Sequence, residues 1–220
     1  MKHNRVNIVT LGCSKNTVDS QKLMRQLAAG GYNVMAESAD PADIVIINTC
    51  GFIHDAKEES VDTIIRHAEA IRREGRGRLF VMGCLVERYR NELQHELPEV
   101  DGWFGVNRPQ EVISQLGLAY RQELTGERIF SGPSHYAYLK VSEGCDRTCA
   151  FCAIPDIRGR YISAPLEELV EEARLLASQG VKELILIAQD LTLYGTDLYG
   201  RQMLPELVRR LAAIASLEWL

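Results

Sequence analysis

Residues 43–48, Asp-Ile-Val-Ile-Ile-Asn, form a short run of β-branched apolar residues between polar ends. Runs of the same kind occur at residues 6–11 and 78–82, and segments with helical periodicity separate the three runs. Apolar strands that alternate with helices are typical of a parallel sheet covered on both faces. The sequence therefore predicts an α/β fold whose N-terminal part is an open parallel sheet with helices on both faces.

Four helices are predicted around these strands. The first begins where Asn16 and Thr17 can act as caps, and it ends near Ala29, before two glycines. Apolar residues recur at helical spacing in three further segments, which are residues 55–74, 87–96 and 109–115. Residues 103–106, Trp-Phe-Gly-Val, are a candidate for a fourth strand.

A linker is predicted at residues 119–134, where the periodicity weakens and glycine, serine and proline accumulate. It separates a first domain, residues 1–118, from a second, residues 135–220. In the second domain, strands or helices are predicted at residues 136–141, 165–178, 181–188, 204–216 and 218–220. Two βα units cannot cover both faces of a parallel sheet, so we expect the second domain to be truncated and the chain to be a fragment.

The composition narrows the possible functions. With 46% hydrophobic and 25% charged residues, the chain is globular and not disordered. A formal net charge of -5 argues against tight binding to bulk nucleic acid. No apolar run approaches the roughly 20 residues of a membrane span, and the start lacks the pattern of a cleaved signal peptide. We therefore predict a cytoplasmic protein without a membrane partner.

Six cysteines are too few for a disulfide scaffold, and three of them, Cys145, Cys149 and Cys152, lie within eight residues after a predicted strand. Thiolates so close in sequence can hold one metal centre, and soft sulfur ligands select iron–sulfur clusters or zinc. A closed zinc site needs a fourth ligand, for which His135 and Asp146 are the nearest candidates. A 4Fe–4S cluster held by three cysteines would instead leave one iron open to a small molecule.

The other three cysteines, Cys13, Cys50 and Cys84, each follow a predicted strand. The carboxyl ends of parallel strands form the ligand crevice of an open α/β sheet, so these thiols should meet at one edge. Isolated cysteines are often simple core residues, but three core residues would rarely share this position. A second three-thiolate cluster site is therefore predicted.

Three segments resemble the methylthiotransferase family of radical S-adenosylmethionine (SAM) enzymes: residues 10–21 (TLGCSKNTVDSQ), 144–161 (GCDRTCAFCAIPDIRGRY) and 184–200 (LILIAQDLTLYGTDLYG). The resemblance covers the whole chain. It implies one 4Fe–4S cluster in an N-terminal domain and another in a radical SAM domain, of which residues 135–220 are the first part of a (β/α) partial barrel. It also implies that SAM chelates the open iron of the second cluster and is cleaved to a radical.

Within the family, these segments resemble members that methylthiolate the β-carbon of an aspartate in the twelfth small-subunit ribosomal protein. The resemblance implies that ribosomal protein as substrate, a reductant such as flavodoxin or ferredoxin, and an auxiliary cluster that handles sulfur. The alternative enzyme is a tRNA adenosine methylthiotransferase. The alternative outside enzymes is an iron–sulfur electron-transfer or carrier protein, which would need four protein ligands for each cluster.

The resemblance also suggests SAM contacts for Phe151, Gln189 and Asp190. Gln189 and Asp190 follow a predicted barrel strand, where active-site groups gather. The alternatives are simple packing for Phe151 and a turn or cap for the other two. Ala164 departs from the family, which commonly has arginine there. No catalytic residue is predicted beyond the cluster ligands.

Other polar residues near the motifs are expected to have simple structural roles. Arg158 and Arg160 are predicted to be solvated loop residues, with contact to an anionic group as the alternative. Asn16 and Asp19 are expected to mark a helix start. His54, which follows Cys50 in sequence, is predicted to be a capping or surface side chain and not a ligand.

Overall fold

The computed structural model describes residues 4–220, so residues 1–3 of the predicted first domain lie outside the described residues. The chain divides into two compact units, one ending at Leu124 and the other spanning Thr125–Leu220. No helix of residues 4–220 has both the length and the apolar character that crossing a bilayer requires.

The first unit alternates strands and helices. Its elements are β1 (Arg5–Thr10), α1 (Ser14–Ala29), β2 (Asn33–Ala36), β3 (Ile44–Thr49), α2 (His54–Glu74), β4 (Arg78–Gly83), α3 (Cys84–Glu96), β5 (Gly102–Phe104) and α4 (Pro109–Gln115). The strands pair in the order β2-β1-β3-β4-β5, and every pair is parallel. The open parallel sheet that the sequence predicts is therefore confirmed.

Helices cover both faces of this sheet. On one face, Val45 and Ile47 of β3 belong to the same apolar core as Ile64 of α2 and Leu85 of α3. The alternating residue Ile46 points to the opposite face and is fully buried, and α1 contacts β1, β2 and β3. Because helices cover both faces, residues at the ends of the strands are the ones that a ligand can reach.

Parallel pairing brings the carboxyl ends of β1, β3 and β4 to one edge. Thr10 of β1 pairs with Asn48 of β3, and Thr49 of β3 pairs with Gly83 of β4. The segments that follow these three strands therefore start side by side, although they are far apart in sequence.

Strand β2 is absent from the sequence prediction. It is a four-residue edge strand, Asn-Val-Met-Ala, with no fully buried residue. A short edge strand with half-exposed residues lacks the continuous apolar run by which buried parallel strands are recognised. The sheet therefore has one more strand than expected.

Helices α1 and α3 begin more than one residue earlier than predicted. Helix α1 starts at Ser14 with Cys13 at its N-cap, so the prediction that Asn16 and Thr17 cap it is wrong. Helix α3 starts at Cys84, directly after Gly83, whose positive φ of 106° lets the chain turn without a loop. Both differences shorten the connection between a strand end and the next helix.

The segment around the division at Leu124 is attached on both sides. In the first unit, the Arg121 backbone exchanges two hydrogen bonds with the Gln26 side chain. In the second unit, the buried Arg128 guanidinium donates to the Tyr138 carbonyl at 2.7 Å and pairs with Glu172. Much of the predicted linker therefore belongs to one unit or the other.

The second unit contains β6 (Tyr136–Lys140), β7 (Ser142–Glu143), α5 (Ile154–Arg158), β8 (Ile162–Ser163), α6 (Leu166–Ser178), β9 (Glu183–Ile187), α7 (Thr196–Tyr199) and α8 (Leu204–Ala212). Strands β6 and β9 are parallel, and β7 pairs with β8 in the antiparallel direction. Trp219 forms a parallel bridge to Glu183, as expected for a strand about to begin. Helices α6 and α8 pack against each other, and α6 also contacts β6.

Candidate metal centres

Cys13, Cys50 and Cys84 lie at the same edge of the first sheet. Cys13 follows β1, Cys50 follows β3, and Cys84 follows β4 directly. The first two turns touch each other, because a Cβ placed on Gly12 would lie 2.6 Å from Cys50 Cβ and 3.1 Å from Cys50 Sγ. Gly12 has a φ of 91°, so both its backbone conformation and the close approach require glycine.

The turn that carries Cys50 also touches the turn that carries Cys84. A Cβ on Gly51 would lie 2.7 Å from the backbone nitrogen of Leu85 and 2.8 Å from the carbonyl carbon of Cys84. Cys13 is exposed, Cys50 is partly buried and Cys84 is buried. The structure therefore packs the three predicted ligand turns against each other along one edge.

Side chains from α2 and α3 fix the backbone of the central turn. Ser60 Oγ accepts a hydrogen bond from Cys50 N at 3.1 Å, and Arg88 donates to the Gly51 carbonyl at 2.8 Å. Sequence reasoning missed both residues because each lies on a helix and contacts the turn only after the chain has folded. The central turn is thus held from two sides.

The second triplet surrounds a cavity of about 300 Å³ in the second unit. Cys145, Cys149 and Cys152 all line it, together with Asp146, Arg147, Thr148, Pro155, Asp156, Gly159 and Arg160. Cys145 is buried, Cys152 is partly buried and Cys149 is exposed. A separate cavity of about 710 Å³ lies between α2 and α3 of the first unit, and no cysteine lines it.

The cysteine loop is closed at its base by three contacts. Cys145 N donates to the Gly159 carbonyl at 3.1 Å, and Tyr161 N donates to Asp146 Oδ1 at 3.1 Å. Gly144 allows the two ends of the loop to approach, because a Cβ there would lie 2.0 Å from the Arg160 carbonyl oxygen. The loop therefore starts and ends at one place on the β7–β8 pair.

Glu143 is the centre of a polar cluster beneath this loop. Its carboxylate accepts hydrogen bonds from Lys140 at 2.8 Å, from Arg158 at 3.1 Å and from Gln189 at 2.7 Å. Burial by itself raises the pKa of Glu143, but the charges of Lys140 and Arg158, with hydrogen bonds from Lys140 and Gln189, lower it to about 2. Glu143 is therefore ionised at neutral pH. Its one signal in the sequence is a charge at the end of a strand, just before the cysteine loop.

Gln189 and Asp190 reach the cysteine loop from the end of β9. The Gln189 Oε1 atom is buried and has no hydrogen-bond partner. Asp190 pairs with Arg147, in the middle of the loop, at 2.8 Å. Hydrogen bonds from Thr192 and Arg147 lower the pKa of Asp190. Two of the three predicted cofactor residues thus contact residues in or just before the cysteine loop, and Gln189 Oε1 is a buried acceptor.

The remaining predicted residues differ in their placement. Phe151 is fully exposed and takes no part in core packing. The prediction of a solvated Arg158 is wrong, because its side chain is buried and pairs with Glu143. Arg160 is exposed, in agreement with its prediction. His54 is an exposed first residue of α2, as expected for a surface side chain.

Ala164, at the position where the resemblance implies arginine, is held by hydrogen bonds of its backbone. Its carbonyl accepts a hydrogen bond from the Tyr194 hydroxyl at 3.0 Å, and its nitrogen donates to the Val141 carbonyl at 2.9 Å. Its methyl group packs against the apolar core of the second unit. This position therefore supports the loop structure without contributing a charge.

The donor set fits iron–sulfur clusters better than single ions. Among residues 4–220, no three His, Cys, Asp or Glu side chains lie close enough together to hold one metal ion. The zinc alternative, which required His135 or Asp146 as a fourth ligand, therefore lacks its ligand set. In a cubane each thiolate binds a different iron atom, so its ligands stand farther apart than those around one ion. Three free thiols around one cavity suit that arrangement.

Comparison with known proteins agrees with the two units. Residues 5–105 match the model of the Uncharacterized protein family UPF0004, and residues 139–218 match that of the Radical SAM superfamily. The chain is 54% identical over its whole length to the "Ribosomal protein uS12 methylthiotransferase RimO" of Phocaeicola vulgatus and to that of Bacteroides thetaiotaomicron. It is 53% identical to the protein of the same name from Flavobacterium psychrophilum.

The chain spans about half the length of the curated relatives it matches: 51% of the Phocaeicola and Bacteroides proteins and 50% of the Flavobacterium protein. These matches and the cysteine motif define a radical SAM protein. The chain belongs to the methylthiotransferase family of that superfamily. Membership supports SAM and an iron–sulfur cluster as cofactors.

Solved structures of radical SAM enzymes share the fold. The radical SAM methyltransferase TsrM from Kitasatospora setae, solved with cobalamin and a [4Fe-4S] cluster, aligns with a TM-score of 0.65 and 15% identity. That alignment covers 98% of this chain and 55% of TsrM. The cobalamin-dependent enzyme OxsB aligns with a TM-score of 0.59 and 12% identity, over 96% of this chain and 36% of OxsB. At such identities the likeness concerns the fold alone.

Proposed function

We propose that the full-length protein transfers a methylthio group to the β-carbon of an aspartate in ribosomal protein uS12. The observation that carries this proposal is the arrangement of six cysteines as two triplets, one at the carboxyl ends of three parallel strands and the other in the single loop that follows β7. The similarity to relatives named RimO, which extends over both triplets, supports the choice of substrate. Ribosomal proteins are found in the cytoplasm, so the proposal includes that location.

We assign a 4Fe–4S cluster to each triplet as part of the proposal. Cys145, Cys149 and Cys152 would hold the cluster that binds SAM, and Cys13, Cys50 and Cys84 an auxiliary cluster that handles sulfur. When bound, SAM and the reduced cluster supply the radical that removes hydrogen from the substrate carbon. A reductant such as flavodoxin or ferredoxin completes the set of partners.

The chain's own residues would orient SAM beside the first of these clusters. The buried, unpartnered Oε1 of Gln189 is an acceptor suited to the ammonium group of the methionine part. Asp190 stands next to it and holds Arg147 of the cysteine loop. Phe151 presents an exposed ring on which an adenine could stack. These three assignments refine the proposal and are testable one by one.

Two alternatives have less support. A tRNA adenosine methylthiotransferase would use the same clusters, but the relatives at 53–54% identity bear the name of the ribosomal protein enzyme, and the net charge of -5 does not favour RNA binding. An electron-transfer or carrier protein would need a fourth protein ligand for each cluster. Six cysteines supply only three for each triplet.

The experiment is a reaction with the full-length, reconstituted protein, SAM and a chemical reductant. Purified uS12 and bulk tRNA are offered separately, and each is analysed by mass spectrometry. We expect the mass of a methylthio group on one aspartate of uS12 and no change in tRNA. Modified adenosine in tRNA would select the first alternative, and reduction of the clusters without modification of either substrate would select the second.

A further inference from the structure

The edge that carries Cys13, Cys50 and Cys84 is supported by a buried amide. Asn16 lies in the first turn of α1, and only 1% of it is exposed. Its Nδ2 group donates to the Leu11 carbonyl at 2.8 Å and to the Thr49 carbonyl at 3.1 Å. Leu11 is two residues before Cys13, and Thr49 is one residue before Cys50. One side chain therefore bonds the ends of both strands that lead into these cysteines.

The same chain of contacts reaches the third cysteine. Thr49 Oγ1 donates to the Met82 carbonyl at 2.6 Å, two residues before Cys84. Asn48, also buried, donates from Nδ2 to the Asn16 carbonyl at 3.0 Å. Each of the three strand ends thus contributes one carbonyl that a neighbouring polar side chain fixes.

Gly12, which is exposed, allows the turn that carries Cys13 to pack closely against the turn that carries Cys50. A Cβ on Gly12 would meet Cys50 Cβ at 2.6 Å and Asn16 Nδ2 at 3.5 Å. The turn carrying Cys13 therefore lies directly over the Asn16 amide and against the turn carrying Cys50. Removal of the amide would release the two strand ends, and a side chain on Gly12 would push the two turns apart.

We propose that Asn16 is a positioning residue that sets the spacing of Cys13 and Cys50, so that three thiols from distant segments can hold one cluster. This inference rests on the proposed function, in which these cysteines bind the auxiliary cluster. It assigns Asn16 a role different from the helix cap that its position in sequence suggests. Groups that orient metal ligands typically affect metal affinity by about 10- to 100-fold.

The test uses full-length protein in which Cys145, Cys149 and Cys152 are replaced by alanine, so that only the auxiliary cluster can form. Asn16→Ala is compared with Asn7→Ala in this background. Asn7 is a buried asparagine of β1 whose side chain bonds the Ser38 backbone at 2.9 and 3.0 Å. Bound iron, the visible absorption of the cluster, its resistance to a chelator and the thermal unfolding midpoint are measured for each variant.

We expect the parent to bind about four irons and Asn16→Ala to lose them at about 10-fold lower chelator concentration, with Asn7→Ala retaining them like the parent. Equal retention in Asn16→Ala and the parent would overturn the inference, and so would equal losses in both asparagine variants. A parent that binds no iron at this triplet would instead refute the proposed function.

Gly12→Ala keeps the inference testable if Asn16→Ala does not fold. Gly12 is exposed, and a Cβ there would lie 2.6 Å from Cys50 Cβ but 3.5 Å from Asn16 Nδ2, an ordinary contact, so this change acts chiefly on the spacing of the two turns. We expect cluster retention to fall while the protein remains folded by circular dichroism. Unchanged retention in Gly12→Ala would contradict the idea that the spacing of these turns limits cluster binding.

Discussion

Glu143 and Arg158 form an ion pair across the base of the cysteine loop, with Arg158 NH1 3.1 Å from Glu143 Oε2 and only 2% of the arginine side chain exposed. Glu143 precedes Cys145, and Arg158 follows Cys152. The pair therefore joins the two ends of the segment that carries all three thiols of this triplet.

Arg158→Ala should destabilise the second unit by up to about 3–5 kcal/mol, because the buried Glu143 carboxylate loses one of the charged partners that stabilise it and keeps Lys140. Arg174→Ala is the control, since Arg174 forms an exposed pair with Glu171 on α6 and should cost less than about 1 kcal/mol. Urea unfolding followed by circular dichroism measures both. Equal, small losses of unfolding free energy in the two variants would mean that Lys140 by itself neutralises the Glu143 carboxylate.

Loss of one cysteine from either triplet should abolish a different step of the proposed reaction. Cys149→Ala should abolish cleavage of SAM, because the cluster to which SAM binds loses a ligand. Cys50→Ala should leave cleavage largely intact and remove methylthio transfer. Chromatography of the cleavage product and mass spectrometry of uS12 separate the two readouts. Normal methylthiolation by the Cys50 variant would show that the first unit has no part in sulfur handling.

Gln189→Ala should weaken SAM binding about 10-fold, the effect of losing one buried hydrogen bond. The expected cause is loss of the unpartnered Oε1 acceptor, since Glu143 keeps its bonds to Lys140 and Arg158. Gln179→Ala, on the exposed end of α6, serves as the control. Equilibrium dialysis with SAM gives the dissociation constants. Equal affinities of the two variants would exclude Gln189 from the cofactor site.

Asp197 should contribute to stability in a pH-dependent way. It accepts hydrogen bonds from Ser163 N at 2.8 Å and Ser163 Oγ at 2.6 Å. Burial raises the pKa of Asp197, but these bonds outweigh it and lower the pKa below the ordinary value of 3.8. Its contribution is therefore complete above pH 3.8 and is lost as the pH falls through the lower, folded pKa.

Asp197→Asn should accordingly reduce stability at neutral pH. It should also make the loss of stability at acid pH smaller than in the parent. Urea midpoints measured from neutral pH down to about pH 3 test this expectation. Asp156→Asn, a change at an exposed carboxylate of α5, is the control. If the urea midpoints of Asp197→Asn and of the parent fall equally with decreasing pH, the ionisation of Asp197 beside Ser163 does not contribute to the acid dependence of stability.

The sequence predicts the parallel sheet well, and with it the position of Cys13, Cys50 and Cys84 at one edge, because apolar runs and the residues that follow them are local signals. Strand β2 escapes prediction because an edge strand needs no continuous apolar run. The burial of Arg158 escapes it for a different reason. The carboxylate that neutralises Arg158 is 15 residues away in sequence, and only the closed loop brings the two together.

Asn16 illustrates the same limit within the candidate site. An asparagine three residues after a cysteine and before an apolar helix is a reasonable cap by sequence. Its actual partners include the Thr49 carbonyl, 33 residues away. Only the parallel register of β1 and β3 makes that contact possible, and register cannot be deduced from either segment alone.

The order of the strands has a consequence for what this edge can bind. Strand β2 lies on one side of β1, whereas β3, β4 and β5 lie on the other, so the direction in which the chain adds strands reverses between β1 and β3. Such a topological switch point opens a crevice at the carboxyl edge, and sheets of this order accommodate organic cofactors there. Cys13 and Cys50 follow the two strands that flank it. The topology thus sets the location of the proposed auxiliary site, and the cysteines in the turns after β1, β3 and β4 would adapt a crevice of this general kind to a metal cluster.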